Sequence, residues 1–239
     1  MSGLSAQDRT HRHDQGPPSP HRLPSGDTRA GKGTTIDGQW PGAGAVDPVV
    51  LQTMTWSAEF AVRCVPPPAG AALRRLAASR PVRTAVELGT GLGVSGLWLL
   101  AGLPDGAALT SIDVDGDLQA MARQAFTAAG HPPGRFRLLT GRAEVLVDRL
   151  ADAAYDLAFV DLDGARAQWV SAAARILRPG GRLLLHRPTA DDRAALHTPQ
   201  WRVNELDPDL LRRDLLMAAR EPVGRAVGPG LQRAEEPHQ

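Results

Sequence analysis

The sequence contains little cysteine, little lysine, no excess of either charge and no long apolar run. Cys64 is the single cysteine, so an intramolecular disulfide and a cysteine-rich metal site are both excluded. Lys32 is the single lysine, and the 27 basic residues nearly balance the 26 acidic ones to give a formal net charge of +1. This balance offers no bulk attraction to nucleic acid or to a membrane surface, so neither is expected as a partner. No apolar run approaches the roughly 18 residues of a membrane-spanning helix.

The two ends of the chain lack the large apolar side chains that a folded core requires. Residues 1–45 are rich in Gly, Pro, Ser, Asp and Arg, which predicts a disordered N-terminal extension. The extension has no apolar segment of the kind found in secretory signals, so a cytoplasmic location is expected. One folded domain is predicted over residues 46–233, with a frayed end over residues 234–239.

The segment from Val82 to Leu100 combines an apolar strand, a glycine-rich turn and an apolar helix. The strand pattern ends at Leu88, the glycines occupy positions 89, 91 and 93, and the helix pattern begins at Val94. Glycine lets the backbone bend sharply and approach a ligand closely, because no Cβ atom is in the way. The amides of the turn and of the first helical turn then form a site for anionic and polar groups.

Two classes of cofactor use a turn of this kind. The spacing of Gly91, Gly93 and Gly96 matches G-x-G-x-x-G, which is typical of dinucleotide sites, so a nicotinamide-dependent oxidoreductase is one alternative. However, the first glycine after the strand is Gly89, and the carboxylate of Glu87 two residues earlier would repel a pyrophosphate. The same carboxylate suits a cation, and S-adenosylmethionine carries both a sulfonium and an ammonium group. We therefore favour S-adenosylmethionine as the cofactor.

Strand and helix patterns alternate through the rest of the chain. Helices are predicted over Val49–Val62, Ala69–Ser79, Val94–Ala101, Asp115–Ala129, Arg142–Leu150, Ala165–Leu177 and Asn204–Arg220. Strands are predicted over Val82–Leu88, Leu109–Val114, Arg135–Leu139, Asp156–Val160 and Arg182–His186, with a hairpin over Val223–Arg233. This alternation predicts an α/β fold, a mostly parallel sheet with helices on both faces. Ligands of such sheets bind at the carboxyl ends of the strands, where the sequence places Glu87, Asp113, Asp161 and His186.

The ends of three strands carry candidate binding residues. Asp113 lies 20 residues after Gly93 and can accept hydrogen bonds from the hydroxyls of a ribose. Gly141–Glu144 follows the third strand, and its backbone amides can meet the edge of an adenine. Asp161, with Asp163 two residues later, can bind a divalent cation, contact the ammonium group of a cofactor or cap the following helix.

Together these segments resemble the catechol O-methyltransferase-type family of class I S-adenosylmethionine-dependent methyltransferases, especially its actinobacterial branch that acts on small molecules. The matching stretches are V-E-L-G-T-G-L-G-V-S-G-L-W-L-L, L-T-S-I-D-V-D, R-Q-A-F-T-A-A-G, L-L-T-G-R-A-E, Y-D-L-A-F-V-D-L-D and L-R-P-G-G-R-L-L-L-H-R. The resemblance implies a Rossmann-like, seven-stranded sheet whose last strands form an antiparallel hairpin. It also implies methyl transfer to a small-molecule hydroxyl, and it is compatible with a homodimer.

The resemblance assigns cofactor roles position by position. Glu87 and the turn Gly89–Thr90 would hold the methionine part, and Ser95 would support its carboxylate. Asp113 would bind the ribose, and Ala143 would lie against the adenine. The complete predicted cofactor set is Val65, Glu87, Gly89, Thr90, Gly91, Gly93, Ser95, Asp113, Val114, Arg142, Ala143 and Asp161.

The sequence departs from the family at the metal site and at the general base. The family places a divalent metal on the aspartate that matches Asp161 and on an Asp-Asn pair, which is His186-Arg187 here. The lysine that commonly serves as general base is replaced by Gly164. We expect either that the metal has been lost, which we prefer, or that Asp161, Asp163 and His186 form a different metal site.

Catalysis without a metal requires another group to accept the proton of the acceptor hydroxyl. His186 is the predicted general base, since a neutral imidazole accepts a proton near pH 7. Asp161 and Arg187 complete the predicted catalytic set, and Arg187 would fix an anionic acceptor. The alternative is a protein that binds the cofactor but has lost catalysis.

Overall fold

The computed structural model describes residues 39–40, 44–162, 167–204 and 215–222. Its strands are β1 Gln39–Trp40, β2 Gly44–Ala45, β3 Thr84–Leu88, β4 Ala108–Asp113, β5 Phe136–Thr140, β6 Tyr155–Val160, β7 Leu177–His186, β8 Trp201–Asn204 and β9 Leu215–Arg220. Its helices are α1 Pro48–Glu59, α2 Pro67–Ala78, α3 Val94–Gly102, α4 Gly116–Ala128, α5 Ala143–Val147, α6 Ala167–Ile176 and α7 Ala190–Leu196. A short 3₁₀ helix covers Pro133–Arg135. In this part of the chain, none of the helices has the length and apolar character needed to cross a bilayer.

Seven of these strands form one mixed sheet in the order β5-β4-β3-β6-β7-β9-β8. The five strands from β5 to β7 run parallel, whereas β9 is antiparallel to both β7 and β8. The strand order reverses at β3, which lies between β4 and β6, so the switch point of the sheet is the carboxyl end of β3. The predicted parallel sheet and the antiparallel C-terminal hairpin implied by the resemblance are both confirmed.

Alternating side chains of the strands feed two separate cores, one on each face of the sheet. Leu184 and its neighbours on one face pack with helices α1 to α4. Leu183 and Leu185 on the other face pack with α5, α6 and α7. Burial on both faces explains why the central strands are apolar at nearly every position rather than at every second one.

The predicted helix over Asn204–Arg220 is wrong in the residues that the structure describes. Asn204 ends β8, and Leu215–Arg220 forms β9, which pairs with β7 at Arg182 opposite Ala219. Five consecutive buried residues from Leu215 to Ala219 satisfy a strand with both faces covered. A short apolar run of this kind fits a buried strand and a buried helix equally well, so periodicity does not separate the two.

Other differences concern the periphery of the fold. Helix α7 was not predicted, although Thr189 and Asp192 form a capping box at its start. The pairing of Gln39–Trp40 with Gly44–Ala45 places ordered backbone before the predicted domain boundary at residue 46. The predicted hairpin over Val223–Arg233, the frayed end and residues 1–38 of the predicted extension lie outside the described residues.

Candidate functional site

The glycine turn between β3 and α3 is held in a conformation that side chains rarely adopt. Gly89 and Gly93 have φ values of 96°, and Gly91 has a φ value of 50°. A Cβ atom at Gly89 would lie 2.5 Å from the backbone oxygen of Asp161, and one at Gly93 would lie 2.9 Å from the ring of Phe126. The turn therefore requires glycine for backbone conformation and for space, and it presses directly against the end of β6.

Glu87 lies beneath this turn and is completely buried. Its carboxylate accepts hydrogen bonds from the hydroxyls of Ser95 at 2.6 Å and Ser111 at 2.5 Å. Burial raises the pKa of the Glu87 carboxyl to about 7, although the two serine hydrogen bonds act to lower it. Both oxygens are thus bound to protein hydroxyls, and Glu87 is not among the residues that line the adjacent cavity. The charge of Glu87 therefore lies one layer behind Ser95, and its predicted contact with the methionine part stays a prediction.

A chain of polar side chains leads from Glu87 to helix α4. The Ser111 hydroxyl donates its hydrogen bond to Glu87. It therefore accepts at its 2.7 Å contact with the Thr90 hydroxyl, where Thr90 is the donor. Gln119 in turn donates to the Thr90 hydroxyl at 3.2 Å and to the carbonyl of Leu139 at 3.0 Å. The bonds from Gln119 to Thr90, from Thr90 to Ser111 and from Ser111 to Glu87 all point toward the carboxylate, which orients the chain as a unit. Gln119 was not identified from the sequence, because it is only one polar residue on the packed face of an amphipathic helix.

Two cavities meet at the carboxyl edge of the sheet. The first, of about 220 Å³, is lined by predicted site residues that include Gly89, Thr90, Gly91, Ser95, Asp113, Asp161 and Arg187. The second, of about 350 Å³, is lined by Val114, Arg142 and Ala143. Asp113 and Leu162 line both cavities. Asp113, which the sequence predicts to bind the ribose, therefore lies where an elongated molecule would pass from one cavity to the other.

Asp113 is positioned by backbone amides on both sides of its carboxylate. The amide of Gly91 donates to Oδ2 at 2.8 Å, and the amide of Asp115 donates to Oδ1 at 3.0 Å. Helix α4 is capped instead by Asp115, whose side chain accepts from the amides of Asp117 and Leu118. Each oxygen of Asp113 keeps acceptor capacity beyond its one amide bond, so the carboxylate can still receive two hydroxyl groups.

Asp161, His186 and Arg187 form a cluster where β6 and β7 end. His186 Nδ1 lies 2.8 Å from Asp161 Oδ1, and Arg187 Nη2 lies 3.5 Å from the same oxygen. Burial acts to raise the pKa of Asp161, but the hydrogen bonds and charges of His186 and Arg187 outweigh burial and hold the pKa below its ordinary value. Arg187 has a φ value of 52°, which is uncommon for a residue with a side chain.

The cavity places Asp161 and Arg187 in front and His186 behind them. His186 is 4% exposed and is not one of the lining residues. Val65 and Gly93 are likewise absent from the lining, because Val65 is wholly buried in the core and Gly93 packs on Phe126. Val62, Arg63 and Cys64, which directly precede Val65, line the cavity instead.

The described residues do not fit a divalent metal at Asp161. Octahedral cations prefer several oxygen ligands. Here Asp161 meets an imidazole and a guanidinium, and the positive guanidinium would repel a metal ion at the same carboxylate oxygen. No group of three potential ligands occurs in the described ranges, and Asp163 lies outside them.

Comparisons with known proteins agree with this geometry. A family model described as a methyltransferase domain matches residues 86–187. A protein of Mycobacterium sp. strain KMS named "putative O-methyltransferase" is 44% identical over 149 residues, which cover 62% of this chain and 68% of the relative. A relative of the same name from Mycobacterium bovis is 38% identical over 188 residues, which cover 78% of this chain and 80% of the relative.

Solved structures are similar over most of the described fold. A protein from Corynebacterium glutamicum has a TM-score of 0.65 at 28% identity, with coverage of 74% of this chain and 91% of the other. The O-methyltransferase TomG from Streptomyces achromogenes, crystallised with S-adenosylmethionine, has a TM-score of 0.66 at 20% identity, with coverage of 74% and 91%. The nicotinamide-dependent alternative is therefore set aside. The chain belongs to the S-adenosylmethionine-dependent O-methyltransferases.

Proposed function

We propose that this O-methyltransferase binds S-adenosylmethionine along the two joined cavities and methylates a hydroxyl of a small anionic acceptor. The observation that carries the proposal is the position of Asp113, shared by both cavities at the switch point of the sheet. A nucleoside with groups on both sides fits this arrangement, since its ribose would meet Asp113. The adenine would then lie toward Ala143, and the methionine part toward Thr90 and Ser95.

The buried charge of Glu87 favours a cationic cofactor without touching it. Ser95 both lines the cavity and donates to Glu87, so the carboxylate fixes the side of the site where the methionine part would lie. A positive group in the cavity stabilises the ionised form of Glu87 by Coulomb attraction across one layer of side chains. Cofactor binding and ionisation of Glu87 therefore support one another.

Methyl transfer is an in-line displacement in which the protein mainly aligns the reactants and removes a proton. The acceptor oxygen forms a bond to the methyl carbon, and the bond from that carbon to sulfur breaks. The hydroxyl proton leaves to a base, and S-adenosylhomocysteine is released as a neutral thioether. Because Asp161 faces the cavity and His186 supports it through Nδ1, we assign first contact with the hydroxyl to Asp161. His186 orients the carboxylate through Nδ1, and the carboxyl becomes neutral when it takes the proton.

The wall around Asp161 favours an acceptor with a negative charge. Arg187 and Arg63 both line the first cavity together with Asp161 and Asp113, so an acceptor beside Asp161 would meet guanidinium groups on the wall. A guanidinium binds a carboxylate through two parallel hydrogen bonds, which fixes the direction of the acceptor. A phenol that carries a carboxyl group fits this description.

Arg187→Gln is expected to raise KM for a carboxylated phenol about tenfold or more, because the charge-assisted hydrogen bonds of the guanidinium to the carboxylate are lost. KM for a neutral phenol should change little. Steady-state kinetics with matched pairs of phenols measure both values. Arg202→Gln, which removes an exposed arginine paired with Glu221, is the control. Equal changes for charged and neutral phenols would contradict the assignment of Arg187 to an anionic group.

Removal of divalent metals is expected to leave methyl transfer unchanged. The guanidinium of Arg187 already supplies a positive charge at Asp161, so no step requires a metal there. The rate should therefore be the same, within experimental error, after dialysis against EDTA and after readdition of Mg²⁺. A rate that collapses with EDTA and recovers with Mg²⁺ would show that the described residues and Asp163 form a metal site after all.

The proposal as a whole is tested by cofactor titration followed by product analysis. Isothermal titration with S-adenosylmethionine and S-adenosylhomocysteine measures binding. Incubation with methyl-labelled cofactor and a panel of phenols, with and without carboxyl groups, measures transfer to oxygen. Binding without transfer to any member would favour the alternative of a protein that has lost catalysis. No binding of either nucleoside would remove the proposal entirely.

A further inference from the structure

Another cavity, of about 330 Å³, lies at the edge of the sheet opposite to the two cofactor cavities. Its lining includes Arg80, which precedes β3, and Arg178 and Arg182 of β7. Asp156, near the start of β6, is the single acidic residue in its described lining. The parallel strands place these residues at their amino ends, whereas Glu87 and Asp161 stand at carboxyl ends. This arginine cavity, lined by Arg80, Asp156, Arg178 and Arg182, is therefore separate from the methyl-transfer site.

Arg182 is a buried cation whose bonds are incomplete. Its side chain is 5% exposed, and Nη1 donates to the Ser79 hydroxyl at 2.7 Å. Nη2 is also buried but has no hydrogen-bond partner in the part of the chain that the structure describes. No carboxylate of the described residues pairs with it, and burial together with the positive charge of Arg80 lowers its pKa. A buried charge without a counter-ion is costly, so this site favours the arrival of an anion.

The acidic residue of the cavity does not neutralise Arg182. Asp156 Oδ1 lies 2.8 Å from Arg178 Nη1, and Oδ2 accepts from the amides of Arg83 at 2.8 Å and Thr84 at 3.0 Å. Burial acts to raise the pKa of Asp156, but these amides and Arg178 lower it, so the carboxylate stays ionised and committed to its own partners. Once Arg178 and Asp156 cancel, the charges of Arg80 and Arg182 remain.

We propose that the arginine cavity binds a phosphate-type oxyanion, either inorganic phosphate or the phosphate monoester group of a metabolite. Two uncompensated guanidiniums match the double negative charge of such a group near neutral pH. Guanidinium forks also match the tetrahedral spacing of phosphate oxygens better than ammonium groups do. The ligand would place an anionic group beside the buried Arg182 guanidinium, whose Nη2 atom has no partner among the described residues. This proposal does not depend on the identity of the methyl acceptor.

The test uses the full chain with inorganic phosphate and phenyl phosphate as probes. Thermal unfolding in phosphate is compared with unfolding in chloride at equal pH and ionic strength, and isothermal titration gives the affinity. We expect a higher Tm in phosphate and saturable binding of at least one probe. Tighter binding of phenyl phosphate would identify a monoester as the natural ligand, whereas binding of inorganic phosphate alone would identify the free ion.

Two variants and one control assign the binding to this cavity. Arg80→Gln removes an exposed charge, so it should fold normally and weaken binding about tenfold or more. Arg182→Met keeps the apolar stem, removes the buried charge and should abolish binding. If Arg182→Met does not fold, Arg80→Gln alone decides. Arg137→Gln, an exposed arginine on β5, should bind as the wild type does. Equal Tm values in phosphate and chloride, or unchanged affinity in Arg80→Gln, would overturn the proposal.

Discussion

Asp161→Asn is expected to lower kcat for methyl transfer by about 100-fold or more, because the amide cannot accept the hydroxyl proton. The affinity for S-adenosylhomocysteine should stay within about threefold, since the proposed ribose and adenine contacts at Asp113 and Ala143 are untouched. Asparagine keeps the shape of the side chain, and Gly89 contacts only the backbone of residue 161, so the turn should stay in place. The measurement is steady-state kinetics with the best acceptor of the phenol panel, together with isothermal titration of the product nucleoside.

The matched control for this variant removes the carboxylate of Asp152, which precedes β6, whereas Asp161 follows β6. Asp152→Asn breaks an ion pair with Arg175 just before β6, far from the cavity, and should leave kcat unchanged. A kcat of Asp161→Asn close to wild type would show that Asp161 does not take the proton. A large loss of nucleoside affinity would show instead that its main contact is with the cofactor.

In the proposed mechanism His186 positions the carboxylate of Asp161, and Asp161 accepts the proton. His186→Ala tests the positioning role by itself. The hydrogen bond from His186 helps to hold the pKa of Asp161 low. In His186→Ala that pKa should rise, so the acid limb of the pH profile of kcat/KM should move to higher pH. An unchanged profile and unchanged turnover would remove His186 from the mechanism altogether.

The sequence predicted the switch-point end of the sheet well because the signal there is local. Glycines 89, 91 and 93 mark the turn by their spacing, and the structure gives all three a positive φ. Asp113 and Asp161 follow apolar strands directly, so the topology of parallel strands brings them to one edge. These signals depend only on residues that are close together in the sequence, so a single sequence is enough to detect them.

The depth of each side chain was not predictable in the same way. Glu87, Val65 and His186 lie within two residues of cavity residues in the sequence, but each is buried in packed protein and is absent from the cavity lining. One residue of shift along a strand reverses the face, and the loop before α2 has no period from which to count. The prediction of a helix over Leu215–Arg220 was wrong for a related reason. Pairing with β7, which is distant in the sequence, makes this segment a strand.

The buried Glu87 links stability to the cofactor. Its oxygens are satisfied by Ser95 and Ser111, but the surrounding protein still disfavours the charge, as its raised pKa shows. The carboxylate fixes the Ser95 hydroxyl at the cavity wall by a hydrogen bond. Its negative charge would attract a cation in the cavity. The same arrangement costs stability when no cation is bound, which leads to a measurable dependence on pH.

Glu87→Gln is expected to lose this dependence. The pKa of Glu87 is about 7 in the folded chain and 4.5 when unperturbed, so between these values the folded state holds a proton that the unfolded state has released. Stability from this group is therefore present at low pH and is lost as pH rises through 7. Between pH 5 and pH 8 the wild type should lose about 2 to 3 kcal/mol relative to Glu87→Gln. Urea unfolding at four pH values measures the difference.

Exposed Glu59 provides the control, since Glu59→Gln should give a profile parallel to that of the wild type. The cofactor supplies a second readout between about pH 5 and 6.5, where its amino group stays protonated because α-amino groups titrate near 7.7 to 8.0. Wild-type affinity for S-adenosylmethionine should rise with pH as Glu87 ionises, and the affinity of Glu87→Gln should stay flat. Parallel stability profiles for wild type and Glu87→Gln would mean that Glu87 is ionised throughout. In that case its two serine bonds would outweigh its burial, and the carboxylate would attract a cationic cofactor equally at every pH.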